Sequence, residues 1–425
     1  MKIGCSRVSI TPLSDQKVIS LGGEQLSIFL NDDIYVNVIL IKLKTEIVLF
    51  IVYDLIWVDK ELCEKIFSAI YNRFSIHSKN IIITSTHAHS TPQLSNIIGY
   101  SEFVDAGYVS LLLEKTLVVV EKAFGNLLDC YAVCKTSHTT CNISRRKKVF
   151  DLHSFKKLVF SKKTLNRPNK KANIDNEITT IYFYNYDAPP IGCLMNYAAH
   201  PTLVDRRYLS ADYPGHISRL NVCKYGESFV TCFMQGFSGD VKANIVTKGY
   251  NKSQSLFKNI YFMIFDRHHF KKGLTFNNVN IYASKLLDAV DNFNAIKNVN
   301  ITQILFNNVE VDLPTIDGVR KLSLSAVFLK PNIMIITSNA ELFSYYSLWV
   351  KSYFKKSNLI FIIAGYSNGM VGYIPDANAV RDGGYEVDRA LHIFNQESRY
   401  SENVEICVKK GLISLLNKFN VKNYF

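Results

Sequence analysis

Ile81-Ile82-Ile83-Thr84-Ser85-Thr86-His87-Ala88-His89-Ser90-Thr91-Pro92 is the stretch on which the reading of the fold turns. An isoleucine run bounded by small polar residues and a proline has the composition of a buried strand. Its two histidines then stand at the C-terminal end of that strand, where α/β folds collect their ligands. Residues two apart point the same way on a strand and diverge on a turn, so His87 and His89 either share a metal or divide two tasks.

Working outward toward the N-terminus, residues 34–43 and 47–55 read as strands joined by Lys44-Thr45-Glu46, and Val8-Ser9-Ile10-Thr11-Pro12 as an opening strand. Leu21-Gly22-Gly23 is a loop signal between them. Asp54 falls near a strand end, either as a partner to a metal-bound histidine or as a turn cap. Residues 59–74 and 104–124 carry helical spacing on the two sides of the opening stretch. Strand and helix runs in alternation predict an α/β class of mixed sheets flanked by helices, with the active site at strand C-terminal ends.

Toward the C-terminus a strand over 130–141 leads into Asn142-Ile143-Ser144-Arg145-Arg146-Lys147-Lys148. Residues 145–171 are basic, with Phe150, Phe155 and Phe160 interleaved. They read as a solvated loop, the sharper alternative being a patch for anionic lipid or an acidic substrate. Residues 178–184 and 191–197 alternate as adjacent strands, and the second runs into Ala198-Ala199-His200-Pro201-Thr202, repeating the order strand, histidine, proline. A further strand over 229–234 ends in Gln235-Gly236-Phe237-Ser238-Gly239-Asp240-Val241. Residues 245–280 mix aromatics with cations as a lid or entrance segment would, and contain His268-His269, read as surface residues. Strands over 301–311, 322–329 and 333–336 follow, and Glu341 is read as opening a helix over 342–354. A last strand over 359–364 empties into a glycine-rich loop with Tyr373, then Gly383-Gly384-Tyr385-Glu386, and a helix over 401–418 closes the chain.

Bulk properties bound the rest. With 425 residues, 48% hydrophobic and 20% charged, the chain can bury a large core. It is read as one domain over 1–425, with basic and aromatic insertions near 145–171 and 245–280. The net charge of +13 favours anionic partners, an anionic membrane surface among them. Without a recognisable nucleic-acid module, nucleic acid is not expected. Nine scattered cysteines without CxxC pairs indicate neither a disulfide framework nor a zinc ribbon, but a reducing compartment. No signal-like apolar run opens the chain, and Lys42, Lys44, Glu46 and Asp54 interrupt residues 36–58, so a soluble, cytoplasmic protein is expected.

The chain thus offers His87, His89, His200 and Glu341 at strand ends, with Tyr373 and Tyr385 in glycine-rich loops, and two histidines with one carboxylate are a common catalytic zinc environment. The ordered series Thr86-His87-Ala88-His89-Ser90, Asn196-Tyr197-Ala198-Ala199-His200-Pro201-Thr202, Gly239-Asp240-Val241-Lys242-Ala243-Asn244, Ala340-Glu341, Ser367-Asn368-Gly369-Met370-Val371-Gly372-Tyr373-Ile374-Pro375 and Gly383-Gly384-Tyr385-Glu386 resembles the catalytic domain of the neutral/alkaline non-lysosomal ceramidases. The resemblance runs from Gly4 to about Glu386. It implies a zinc-dependent amidase for a lipid or small-molecule amide, with one Zn²⁺ per chain. His87, His200, Glu341 and Tyr373 would be its ligands, and His89, Arg145 and Tyr385 its catalytic groups. Two departures stand out. Gly236 replaces a serine of the family, which favours metal-activated water over a serine nucleophile, and no room remains for the immunoglobulin-like C-terminal domain of longer ceramidases. A hydrolase of non-lipid amides or esters, or a non-catalytic binding homologue, is the alternative expectation.

Overall fold

In a computed structural model of the chain, the described residues are 1–13, 20, 32–94, 104–150, 162–186, 189–248, 268–271, 274–292 and 296–421. The apolar runs Ile81–Ser85, Val230–Gln235 and Ile333–Ser338, for example, form strands covered on both faces, which explains why those lack a polar alternate. In all, the described residues form twenty strands. They are β1 (Lys2–Ser9), β2 (Tyr35–Leu43), β3 (Glu46–Tyr53), β4 (Ile81–Ser85), β5 (Leu128–His138), β6 (Asn142–Phe150), β7 (Lys162–Asn169), β8 (Glu177–Asn185), β9 (Pro190–Tyr197) and β10 (Val230–Gln235). There follow β11 (Val241–Ala243), β12 (Val246–Lys248), β13 (His268–Phe270), β14 (Ile296–Val299), β15 (Gln303–Pro314), β16 (Val319–Lys330), β17 (Ile333–Ser338), β18 (Glu341–Leu342), β19 (Ile360–Ala364) and β20 (Tyr373–Ile374).

The large sheet has the order β10-β9-β8-β5-β1-β2-β3-β4, with β14 also on β5, and a second sheet the order β15-β16-β17-β19. Most neighbours are antiparallel. The parallel pairs within these two sheets are β3 with β4, β9 with β10, and β17 with β19. Parallel neighbours end on the same side, so their carboxyl ends line up as a rim.

The period of two decides the layers. On β2, Ile39 and Ile41 pack between the two sheets, against Val327, Leu329, Ile333, Ile335 and Ile362 of the second. Their neighbours Val38 and Leu40 face α1 (Lys60–Phe74) and α2 (Ala106–Gly125) instead. Helices α3 (Asp212–Tyr225) and α4 (Phe276–Asp291) cover β8, β9 and β10. On the far side α5 (Ser344–Tyr353) and α7 (Val404–Asn417) cover the other face of the four-stranded sheet, and the short α6 (Ala377–Asp382) lies between them in the chain. Helices therefore lie outside two face-to-face sheets, as the α/β expectation requires. Asp59 and Asp105 cap α1 and α2 by accepting from the backbone N–H groups of Leu62 and Tyr108. Among the described residues no helix is long and apolar enough to cross a membrane, and the nine cysteines are free thiols.

Four expectations are corrected. The opening strand is Lys2–Ser9, ending before Ile10. The basic stretch is no solvated loop at its ends, because β6 and β7 pair there and Arg145 is buried. Phe155 and Phe160 lie outside the described residues. So does most of the 245–280 segment, together with Leu21-Gly22-Gly23; at its described edges β12 pairs with β13, placing His268 and His269 in a half-buried strand. Glu341 does not open a helix: it pairs with Tyr373 in the two-stranded β18–β20 ladder, and the helix starts at Ser344.

Asp54 proves to be a cap. Its Oδ2 accepts from the Tyr35 N–H at 3.0 Å, fastening the start of β2. Burial pushes this carboxyl up to about 7, against the weaker opposite pull of that hydrogen bond. A folded pKa above the unfolded one means stability that is full below about pH 4 and lost as pH rises through 7. Asp54→Asn, which cannot ionise, should therefore gain on the wild type by up to about 4 kcal/mol between pH 4 and pH 8. Urea unfolding at both pH values checks this, and a pH-independent difference would contradict it.

Candidate functional site

The rim formed by the parallel strand ends carries the candidate residues. β4 ends at Ser85, and the chain turns sharply because His87 adopts φ +63°, a left-handed conformation uncommon for a non-glycine residue. The turn is held by the His87 N–H donating to Leu55 O at 3.0 Å. After β9, the His200 N–H donates to Val241 O at 3.1 Å. Glu341 follows β17, its N–H donating to Gly372 O at 2.9 Å. Gly239 allows this close passage, since a Cβ there would sit 2.6 Å from Glu341 O. Asn196, from β9, ties the two sheets beside the site: its Nδ2 donates to Met234 O and Ile363 O, and its Oδ1 accepts from Ile363 N.

Three side chains then meet. His87 Nε2 lies 3.2 Å from His200 Nε2 and 3.4 Å from Glu341 Oε2, and His200 Nε2 lies 3.3 Å from the same oxygen. These separations match the edge of a tetrahedron drawn around a zinc ion, about 3.3 Å for ligand bonds near 2.05 Å. The outer nitrogens are fixed by backbone carbonyls, His87 Nδ1 donating to Ile56 O and His200 Nδ1 to Ser238 O, each at 2.9 Å. Carbonyls only accept, so both rings carry a proton at Nδ1 and turn Nε2 inward, the nitrogen that would serve as a ligand. Burial, and then the nearby charge of Arg145, press His200 down to about 3, so it is neutral at physiological pH. For Glu341, burial alone would raise the pKa, but the adjoining histidines outweigh it and hold the carboxylate below its usual range. Two imidazoles and a carboxylate are a donor set that suits zinc.

His89 belongs to the same group, with Nε2 3.3 Å from His87 Nε2, and the ligand atoms of His87, His89 and His200 all lie within 4.8 Å of one another. Its outer nitrogen differs. Arg206 Nη2 approaches His89 Nδ1 at 3.4 Å, so a guanidinium stands where the other two histidines meet a backbone carbonyl. Burial, followed by the charges of His87 and Arg206, lowers the His89 pKa well below the ordinary imidazole value.

The remaining expected residues form an adjoining group rather than part of the triangle. The Arg145 guanidinium packs over the rings of Tyr373 and Tyr385, 5.4 and 5.8 Å from their centroids. Its Nη2 donates to Gly239 O at 2.7 Å, and its Nε lies 2.8 Å from Glu386 Oε1. Burial and the Glu341 charge push the Tyr373 phenol well above 10, so it is a neutral hydroxyl. The β18–β20 register sets Tyr373 beside Glu341. Gly236 has a steric reason, because a Cβ there would come within 2.9 Å of Ala198 Cβ, leaving no room for a serine side chain.

Sequence reasoning missed Tyr366 and Arg206. Tyr366, at φ +56°, stacks on His87 with ring centroids 3.9 Å apart, and its hydroxyl reaches Ser238 Oγ at 3.0 Å and Glu341 Oε2 at 3.4 Å. Its only signal was an aromatic residue just past the β19 end, in a glycine-rich turn.

Residues 30–261 match the family described as "Neutral/alkaline non-lysosomal ceramidase, N-terminal". Among curated proteins none matches the chain. The fold is similar to the crystal structure of neutral ceramidase from Pseudomonas aeruginosa, with a TM-score of 0.73 at 12% identity, covering 100% of this chain and 75% of that one. It is equally similar to a ceramidase complexed with C2, with a TM-score of 0.73 at 11% identity, covering 100% and 76%. With the family match spanning more than half of its length, on a rim of histidine and carboxylate donors, this chain belongs to the neutral/alkaline non-lysosomal ceramidase family and is a ceramidase-like hydrolase.

Proposed function

We propose that the chain hydrolyses an N-acyl (amide) bond with one zinc ion held by His87, His200, Glu341 and Tyr373. The observation carrying this reading is the near-equilateral donor triangle of His87, His200 and Glu341, whose edges are 3.2, 3.4 and 3.3 Å. When bound there, zinc would supply a Lewis acid that polarises a carbonyl and brings the pKa of water towards about 7.

The chain's own groups do the rest. His89, unprotonated at neutral pH, takes the proton of the attacking water and passes it to the leaving amine. Its Nδ1 faces Arg206 where the ligand histidines meet a backbone carbonyl, which sets it apart from them and leaves its Nε2 toward the site as the nitrogen that exchanges the proton. Arg145 and Tyr385 would receive the carbonyl oxygen as it gains negative charge. Arg145 is already oriented by Glu386 and Gly239, so little reorganisation is needed at that moment. A ceramide or another lipid amide is the substrate class this reading favours, at a soluble, cytoplasmic enzyme able to meet an anionic membrane surface.

Metal analysis and fatty-acid release from chain-matched N-acyl amides, a ceramide among them, test this. One metal per chain is expected, with turnover lost on chelation and restored by zinc. Turnover indifferent to chelation, or no stoichiometric metal, would overturn it.

A further inference from the structure

We infer that the cavity beside His89 is a subsite for an anionic group, a phosphate or carboxylate carried on the amine side of the substrate. This deepens the amidase reading and rests on it.

The cavity has a volume of about 390 Å³, room for a substantial part of a small amphiphile. It opens from His89, the side chain that hands the proton to the leaving amine, so whatever that amine carries extends into it. Three cations line it from three parts of the chain: Arg206 from the loop after β9, Lys242 from β11, and Lys271 just after β13. Their placement is built into the fold. The backbone of Lys242 bridges to that of His200, setting this lysine beside a candidate zinc donor. Its Nζ lies 5.4 Å from the Phe270 ring centroid, and Arg206 is anchored at His89 Nδ1.

Among the described lining residues the one carboxylate is Asp205, and it is engaged by Arg207, whose Nη2 donates to it at 2.8 Å. Among the described lining residues three cations thus face one carboxylate. Leu203, Val204, Ile245 and Phe270 supply apolar wall between the cations. Cations over an apolar wall fit a short carbon linker that ends in an anion. A neutral polyol would draw nothing from this positive potential, whereas a phosphate or carboxylate would be drawn in and oriented. The net charge of +13 works in the same direction at longer range.

The test compares amides that share one acyl chain and differ in head group: N-dodecanoylethanolamine, its O-phosphate, and N-dodecanoyl-β-alanine. kcat/KM is measured for the zinc-loaded wild type and for the double variant Lys242→Gln/Lys271→Gln. At least a tenfold preference for an anionic amide is expected in the wild type, with the anionic-to-neutral ratio falling at least tenfold in the variant. The ratio is internal to each protein, so a general loss of activity does not move it. Whether the phosphate or the carboxylate is preferred identifies the anion. A wild-type ratio near one, or a ratio that survives both substitutions, overturns the subsite. So does a rate gain that follows phosphatidylserine vesicles rather than the head group, since the cations would then serve a membrane surface. If none of the amides is cleaved, the amidase reading fails, and the subsite is decided by calorimetric titration with the O-phosphate. Binding at least tenfold weaker in the double variant upholds it, and equal binding overturns it.

Discussion

His200→Ala should abolish stoichiometric metal binding and lower amide turnover by at least about a hundredfold, beyond the effect usual for a residue that only orients a ligand. The substitution removes one corner of the donor triangle and leaves Glu341 Oε2 facing His87 without His200. It also frees the carbonyl of Ser238, which accepts from His200 Nδ1. The backbone around residue 200 does not depend on the ring, because its N–H is bonded to Val241 O. The variant should therefore remain folded, with circular dichroism close to the wild type. Retention of one metal per chain together with full turnover would refute the assignment of His200.

The second large effect concerns Glu386. Its carboxylate is the anionic partner of two arginines, with Oε1 on Arg145 Nε at 2.8 Å and Oε2 paired with Arg146, all with side chains at most 11% exposed. Removing one member of a buried ion cluster strands the others without compensation, at a cost of about 3–5 kcal/mol. Arg145 would keep its bond to Gly239 O and Arg146 its bond to Gly383 O, so Glu386→Ala should unfold at markedly lower urea without losing either arginine's anchor entirely. Glu386→Gln keeps acceptor oxygen without the charge and should fall between the two. Equal urea midpoints for wild type and Glu386→Ala would mean that solvent reaches this cluster. The prediction also bears on activity, since Arg145 packs over Tyr373 and Tyr385 and any release of it disturbs both rings.

These two residues mark what could and could not be read from the chain. His87, His89 and His200 were legible because each follows a strand buried on both faces, and such strands appear as unbroken apolar runs. Strands β2, β3, β8, β9, β10 and β17 were legible for the same reason. Pairing over long separations was not. Arg145 and Arg146 belong to a run of like charges, and only the fold brings up Glu386 from 240 residues beyond Arg146 to neutralise them. A two-residue ladder such as Glu341 with Tyr373 has no period at all, so Glu341 reads as a helix start. That the apolar strands divide into two sheets facing each other is a matter of register, which composition does not encode. Arg206 carried no local signal, because its partner is defined by the turn at His87 and His89 rather than by its own neighbours.

The distribution of the donor triangle along the chain also sets a timetable for making the protein. His87 and His200 are synthesised early, and roughly 140 residues separate the second from Glu341, on the order of ten to thirty seconds at ordinary elongation rates. During that interval the nascent chain carries two imidazoles without their carboxylate, and the four-stranded sheet that presents Glu341 is not yet finished. A half-built nitrogen site binds zinc less well than copper, following the usual order of divalent affinities. If the proposed zinc site holds, loading would follow the joining of β17 and β19, and a cell making this protein quickly under copper excess would be expected to accumulate mismetallated chains.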